Sequence, residues 1–249
     1  MAEPGPPRDR ADDTRRMKAI LVVMTAVTFA IVPFMVPFDG FDPGLFPVPQ
    51  DDPPVQPAGY AFGIWGPIYA WLVVSAVFGL FARAEVPAWD APRWPLVASL
   101  AIGAAWLPVA QTSPVLATVL IFAMLLLALV ALSRTPSADR WLLRAPIALY
   151  AGWLTAASFV SLGLTGAGYG LLFGQTGWAV AALLGALVAA GLVQWRLRRI
   201  PLYTLAMVWA LVAVAVANRG EAWSLVALSL LGAAALVAQA VRDHRSGAR

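Results

Sequence analysis

Eight apolar stretches alternate along the chain with short polar breaks, at roughly 18–38, 59–82, 94–112, 114–133, 141–164, 173–195, 200–218 and 221–241. An α-helix rises ~1.5 Å per residue, so about 20 apolar residues cover the ~30 Å hydrocarbon core of a bilayer. The third and fourth stretches are divided only by Gln111-Thr112-Ser113-Pro114, and the seventh and eighth only by Asn218-Arg219-Gly220-Glu221. Proline has no N–H to donate and crowds the preceding turn, so Pro114 and Pro201 read as helix starts. The pattern predicts an all-α integral membrane protein, a polytopic bundle of about eight transmembrane helices.

The positions of the 17 lysines and arginines test that count. Arg8, Arg10, Arg15, Arg16 and Lys18 precede or open the first stretch, and the segment 39–58 has none. Arg83 and Arg93 bracket the next break, and 112–114 has none. Arg134, Arg140 and Arg144 follow; 165–172 has none; Arg196, Arg198 and Arg199 come next. Arg219 stands alone in the last break, before Arg242, Arg245 and Arg249. Positive residues stay on the cytoplasmic side of a membrane, so the alternation places both termini in the cytoplasm, with a bacterial plasma membrane as the expected location. An error of one span would scramble it. The first stretch has the basic flank of a signal peptide, but it is long and no small-x-small cleavage site follows, so it reads as a retained helix. Polar tails are expected at 1–17 and 242–249.

The segment 39–58 differs from the other breaks. It holds six prolines and four aspartates, Asp39, Asp42, Asp51 and Asp52. Proline fixes φ, so this loop is stiff and extended or sharply turned. It reads as a solvated connector or as a lid, with the connector slightly favoured; Phe41, Leu45, Phe46 and Val48 are apolar enough to cap the bundle.

Composition narrows the chemistry. Hydrophobic residues make up 61% of the chain and charged residues 12%, about half the charged share of a soluble domain. There is no cysteine, and the one histidine, His244, lies in the polar tail, which argues against disulfides, thiolates and a histidine metal site. The sequence pI near 10.0 does not point to nucleic acid, because the basic residues form short clusters between spans rather than a stripe. Acids lie in tails and loops, with Glu221 at a helix edge. No carboxylate pair, HExxH, phosphate loop or GxSxG is present, so no enzyme and no cofactor are expected. Ser75, Ser99, Ser158 and Ser161 lie in spans without a base, and a buried serine usually bonds the carbonyl one turn back. No internal repeat marks an inverted-repeat transporter.

Aromatic residues do show a pattern. Phe62, Trp65 and Tyr69 fall at i, i+3, i+7 of the second span, on one face. Tyr150, Trp153, Ala157 and Ser161 do the same in the fifth, and Trp106 lies mid-span in the third. Trp65 and Tyr150 are close enough to span ends to serve as interface anchors. Trp106 and Trp153 lie deeper, so their indole N–H groups need partners from protein or ligand. These faces read either as packing or as walls for a flat apolar ligand. Gly59 and Gly63 form a GxxxG, read as close packing within the chain or as a homodimer seam. Pro67 is expected to kink its helix.

Three segments carry a family resemblance. Pro57-Ala58-Gly59-Tyr60-Ala61-Phe62-Gly63-Ile64-Trp65-Gly66-Pro67-Ile68-Tyr69, Gly103-Ala104-Ala105-Trp106-Leu107-Pro108 and Tyr150-x-x-Trp153-x-x-x-Ala157-x-x-x-Ser161 resemble, in order, motifs of the translocator protein family, also called the tryptophan-rich sensory protein or peripheral benzodiazepine receptor family. The resemblance covers about residues 18–164 and implies a five-helix core, followed here by three further helices at 165–241. It implies a pocket under the first long loop, lined by Phe62, Trp65, Tyr69 and Trp106 on one side. Tyr150, Trp153, Ala157 and Ser161 line it on the other. Gly103 and Ser161 stand where the family has asparagines, so polar recognition differs. The implied ligands are porphyrins such as haem, or sterol-like molecules, and the implied role is sensing or transport. Two further readings are a permease for an uncharged solute and a non-catalytic membrane scaffold.

Overall fold

A computed structural model describes residues 10–38, 40–136 and 139–246; Arg8, Asp39 and Arg249 lie outside the described residues. The apolar stretches form helices α1 (Arg10–Met35), α2 (Trp65–Ala82), the short α3 (Pro87–Asp90), α4 (Arg93–Ala110), α5 (Pro114–Ser133), α6 (Ala145–Gly168), α7 (Gln175–Leu197), α8 (Pro201–Ala217) and α9 (Trp223–Ser246). A 3₁₀ turn at Gly59–Ile64 feeds α2, and a π turn at Arg140–Arg144 feeds α6. Pro114 and Pro201 open α5 and α8 as their chemistry requires. Seven helices are long and apolar enough to span a bilayer. The eighth, α8, has 17 residues, about 25 Å at 1.5 Å per residue. The outward surface is apolar, with Phe34 and Leu172 each 88% exposed, as lipid contact allows and water does not. Trp94, Trp141, Trp195 and Trp223, all near helix ends, are exposed as interface anchors would be.

Five helices close a ring in which α1 packs on α2 and α4, α4 on α5, α5 on α6, and α6 on α2. Helices α7 and α8 pack on the far side of α6, and α9 packs on both. α6 is thus shared by the ring and the added helices, and nearly all of it is buried. Helices in lipid gain by packing closely, which small residues permit. At Gly152 the approach is backbone to backbone: a Cβ there would lie 2.5 Å from the Tyr203 carbonyl oxygen of α8.

Several expectations change. α1 begins at Arg10, within the segment expected to be a polar tail. Its first turns are held by Arg15 to Asp12 at 2.6 Å and Lys18 to Asp90 at 2.7 Å, while Arg93 donates to the Arg15 carbonyl at 2.9 Å. Pro67 lies in the first turn of α2, where a missing N–H removes no intrahelical bond, so the chain changes pitch there from 3₁₀ to α without an interior kink. Gly59 and Gly63 do not pack within the chain: an added Cβ would meet nothing. Ser99, Ser158 and Ser161 bond across helices rather than one turn back. Ser99 donates to the Met124 carbonyl at 2.8 Å and Ser158 to that of Ile121 at 3.3 Å.

The loop after α1 is no solvated connector. Phe46, Gln50 and Val55 are buried. Its backbone is sewn to the bundle by Val48 N–H to the Gly168 carbonyl at 2.8 Å and by Asn218 Nδ2 to the Pro54 carbonyl at 2.8 Å. The loop caps one end of the bundle. The opposite end gathers every described lysine and arginine except Arg219.

Candidate functional site

The five-helix ring encloses a cavity of about 370 Å³, within the range of small-molecule sites, ~300–1,000 Å³. Phe62, Trp65 and Tyr69 come to it from the 3₁₀ turn and α2, Trp106 from α4, and Trp153 and Ala157 from α6. The predicted faces therefore converge. Trp65 stacks on Tyr69 with centroids 5.2 Å apart and planes at 11°. Trp153 meets Phe62 and Trp65 edge to face, at 6.2 and 6.1 Å. No lining residue carries a charge, and the Tyr69 hydroxyl is the one phenol on the wall. Among the described residues, no group of histidine, aspartate or glutamate is arranged to hold a metal.

Two of the implied lining residues are elsewhere. Tyr150 is fully buried behind the wall. Its hydroxyl hydrogen-bonds Ser99 Oγ at 3.0 Å, and its ring meets Phe29 edge to face at 5.8 Å. Phe29, from α1, takes the wall position in front of it, contacting Trp65 at 5.8 Å and Tyr69 at 5.0 Å. Ser161 lies outside this cavity, and its hydroxyl pairs with Thr118 Oγ1 at 2.7 Å across α5 and α6.

Gly103 explains both Phe29 and one departure from the motif. A Cβ at Gly103 would lie 2.6 Å from the Phe29 ring. An asparagine cannot share that space, so an apolar edge fills the place of a polar amide. Phe29, Phe38, Met124 and Ile121 add to the wall, beside Pro33, Pro37, Leu107 and Leu154. None stood out in the sequence, because each is one apolar residue among many in its span.

The two deep indoles differ. Trp106 donates to the Ala117 carbonyl at 2.8 Å, tying α4 to α5. Trp153 is 2% exposed, and its indole N–H has no partner. A buried, unpaired donor costs about 1–3 kcal/mol.

The aromatic cavity is closed by α1, α2, α4, α5 and α6 beneath the proline-rich cap, and a family model described as TSPO-like protein matches residues 17–242. The chain belongs to the TSPO-like family. No curated protein and no solved structure matches it. The match runs from α1 into α9, so the three helices after α6 lie inside the TSPO-like region, whereas the sequence motifs reached only to residue 164.

Proposed function

We propose that this TSPO-like protein binds a flat, largely apolar molecule bearing a hydrogen-bond acceptor, of tetrapyrrole or sterol type, and acts in its sensing or transport. The observation that carries the proposal is the unpartnered Trp153 indole N–H, buried in the wall of an uncharged, aromatic cavity. The stacked Trp65 and Tyr69 offer a flat surface to a ring system, and a ligand oxygen or nitrogen that displaces the side chains covering the Trp153 N–H would satisfy the buried donor. The uncharged walls favour binding over acid–base catalysis. The membrane-scaffold reading predicts no ligand at all.

The test is equilibrium titration of the purified protein in detergent with protoporphyrin IX, haem and a keto-sterol, read through ligand absorbance or tryptophan quenching. Saturable binding that is lost in a folded Trp65→Ala/Trp153→Ala double variant supports the site. Saturable binding that survives in the double variant removes it, and no saturable binding favours the scaffold.

A further inference from the structure

A second, smaller chamber lies on the other side of the Trp153 wall. It measures about 70 Å³ and is bounded by α5, α6, α7 and α8, with Val55 and Gln56 of the cap above it. The two spaces share Phe38, Phe62, Trp106, Ile121, Trp153 and Ala157. Among these shared residues Phe62 and Trp153 meet edge to face, and Ala157 contributes only a methyl to either lining. The unpaired indole N–H therefore belongs to a residue that borders both spaces.

The chamber is built by small side chains. Ala182 and Ala186, one turn apart on α7, face Ala210 on α8 and Ala156 on α6. A leucine at one of these positions would fill it. Its surface is apolar, and the one nearby hydroxyl, that of Ser161, is occupied by Thr118. An apolar cavity of ~150 Å³ holds a benzene ring. This chamber is about half that, room for three or four aliphatic carbons and not for a ring.

We infer that α7 and α8 extend the binding site, so that the ligand carries a short aliphatic branch next to its hydrogen-bond acceptor. The flat body lies in the ring cavity, the acceptor reaches the covered Trp153 Nε1–H as the wall side chains shift, and the branch passes Ala157 into the chamber. This rests on the ring cavity being the ligand site, and it names the class as a polycyclic ketone or ester with an alkyl arm of about four carbons.

Four ligands test it: 1-pyrenecarbaldehyde, 1-acetylpyrene, 1-butanoylpyrene and 1-octanoylpyrene, titrated by pyrene fluorescence into wild type and Ala210→Leu in the same detergent. Ala210 borders the chamber and not the ring cavity, and leucine adds three carbons. Comparing the two proteins at each chain length cancels partition of the ligand into detergent. The expected result is an aldehyde bound equally by both proteins and a butanoyl ketone bound about tenfold more weakly by Ala210→Leu. Leu211→Ala, which widens the chamber, should shift the best chain length upward. If Ala210→Leu fails to fold, Ala186→Leu fills the same space from α7. A uniform loss across the series, or no loss for any member, overturns the chamber and leaves the ring cavity standing. Failure of the aldehyde itself to bind wild type overturns both.

Discussion

Trp153 combines a ring that builds the cavity wall with a donor that nothing answers, and the two can be separated. Trp153→Phe keeps an aromatic surface and removes the N–H. Without ligand, this variant should melt at the same temperature as wild type or higher, because an unsatisfied buried donor costs about 1–3 kcal/mol. With an acceptor-bearing ligand it should bind roughly five- to tenfold more weakly, the effect of losing one hydrogen bond of about 1 kcal/mol. An apolar ligand of the same shape should be unaffected, and a variant that melts lower while binding both ligands normally would make Trp153 a packing residue. Gly103 and Phe29 form a second separable pair. Gly103→Asn should destabilise the protein by driving a side chain into the Phe29 ring, and Phe29→Ala should rescue it in the double variant. Equal melting losses in the single and double variants would show that the two positions do not share that space.

The helices themselves were legible because about 20 consecutive apolar residues can be satisfied in lipid only as a helix, and prolines 114 and 201 mark their starts. Phe62, Trp65 and Tyr69 could be read as one face even though Phe62 lies in a 3₁₀ turn, since the pitch changes only after it. Tyr150 could not be placed from α6 alone. Its position behind the wall is set by Phe29 from another helix, and nothing in the spacing of α6 records that neighbour. The same limit hid the contact of α6 with α8, where Gly152→Ala should cost about 1–3 kcal/mol by pushing the backbones apart, visible as a lower detergent melting temperature; an unchanged midpoint would mean the helices can yield there. At the basic end, Asp139 accepts from Arg83 Nε at 3.0 Å and from Trp89 Nε1 at 2.9 Å. These bonds, that from Arg83 foremost, hold its carboxyl below the usual carboxylate range. A depressed folded value means the tie contributes stability above the unfolded pKa of about 3.9 and loses it as pH falls through the lower folded value. Asp139→Asn should therefore melt lower than wild type at pH 7 and converge with it towards pH 3. A gap that persists in acid would assign the effect to something other than ionisation.

Seen as one body, the bundle has two chemically unlike ends, and this asymmetry predicts its orientation. The capped end carries Asp42, Asp51 and Asp52 with Arg219 as its lone described cation, while the other end carries the remaining described lysines and arginines. Basic residues close to spans are retained in the cytoplasm, so the expected orientation has the cap over the cavity facing outward and both termini facing in. The short helix α8 is the weak point of this topology, because its ~25 Å falls below the ~30 Å core. It is largely buried against α6 and α9, so protein rather than lipid can cover its ends. If α8 stopped short of crossing, the turn at Gly220 and Glu221 would lie on the same side as the turn at Ala91. The chain contains no cysteine, so single cysteines report position without background. In cells expressing the chain, a membrane-impermeant maleimide should label Asp51→Cys and Glu221→Cys directly and Ala91→Cys only after lysis. Labelling of Ala91→Cys alone in intact cells would invert the orientation and turn the cavity's cap towards the cytoplasm. Labelling of Asp51→Cys but not Glu221→Cys would show that α8 does not cross and would change the count of spans, since α9 would then leave the C-terminus outside.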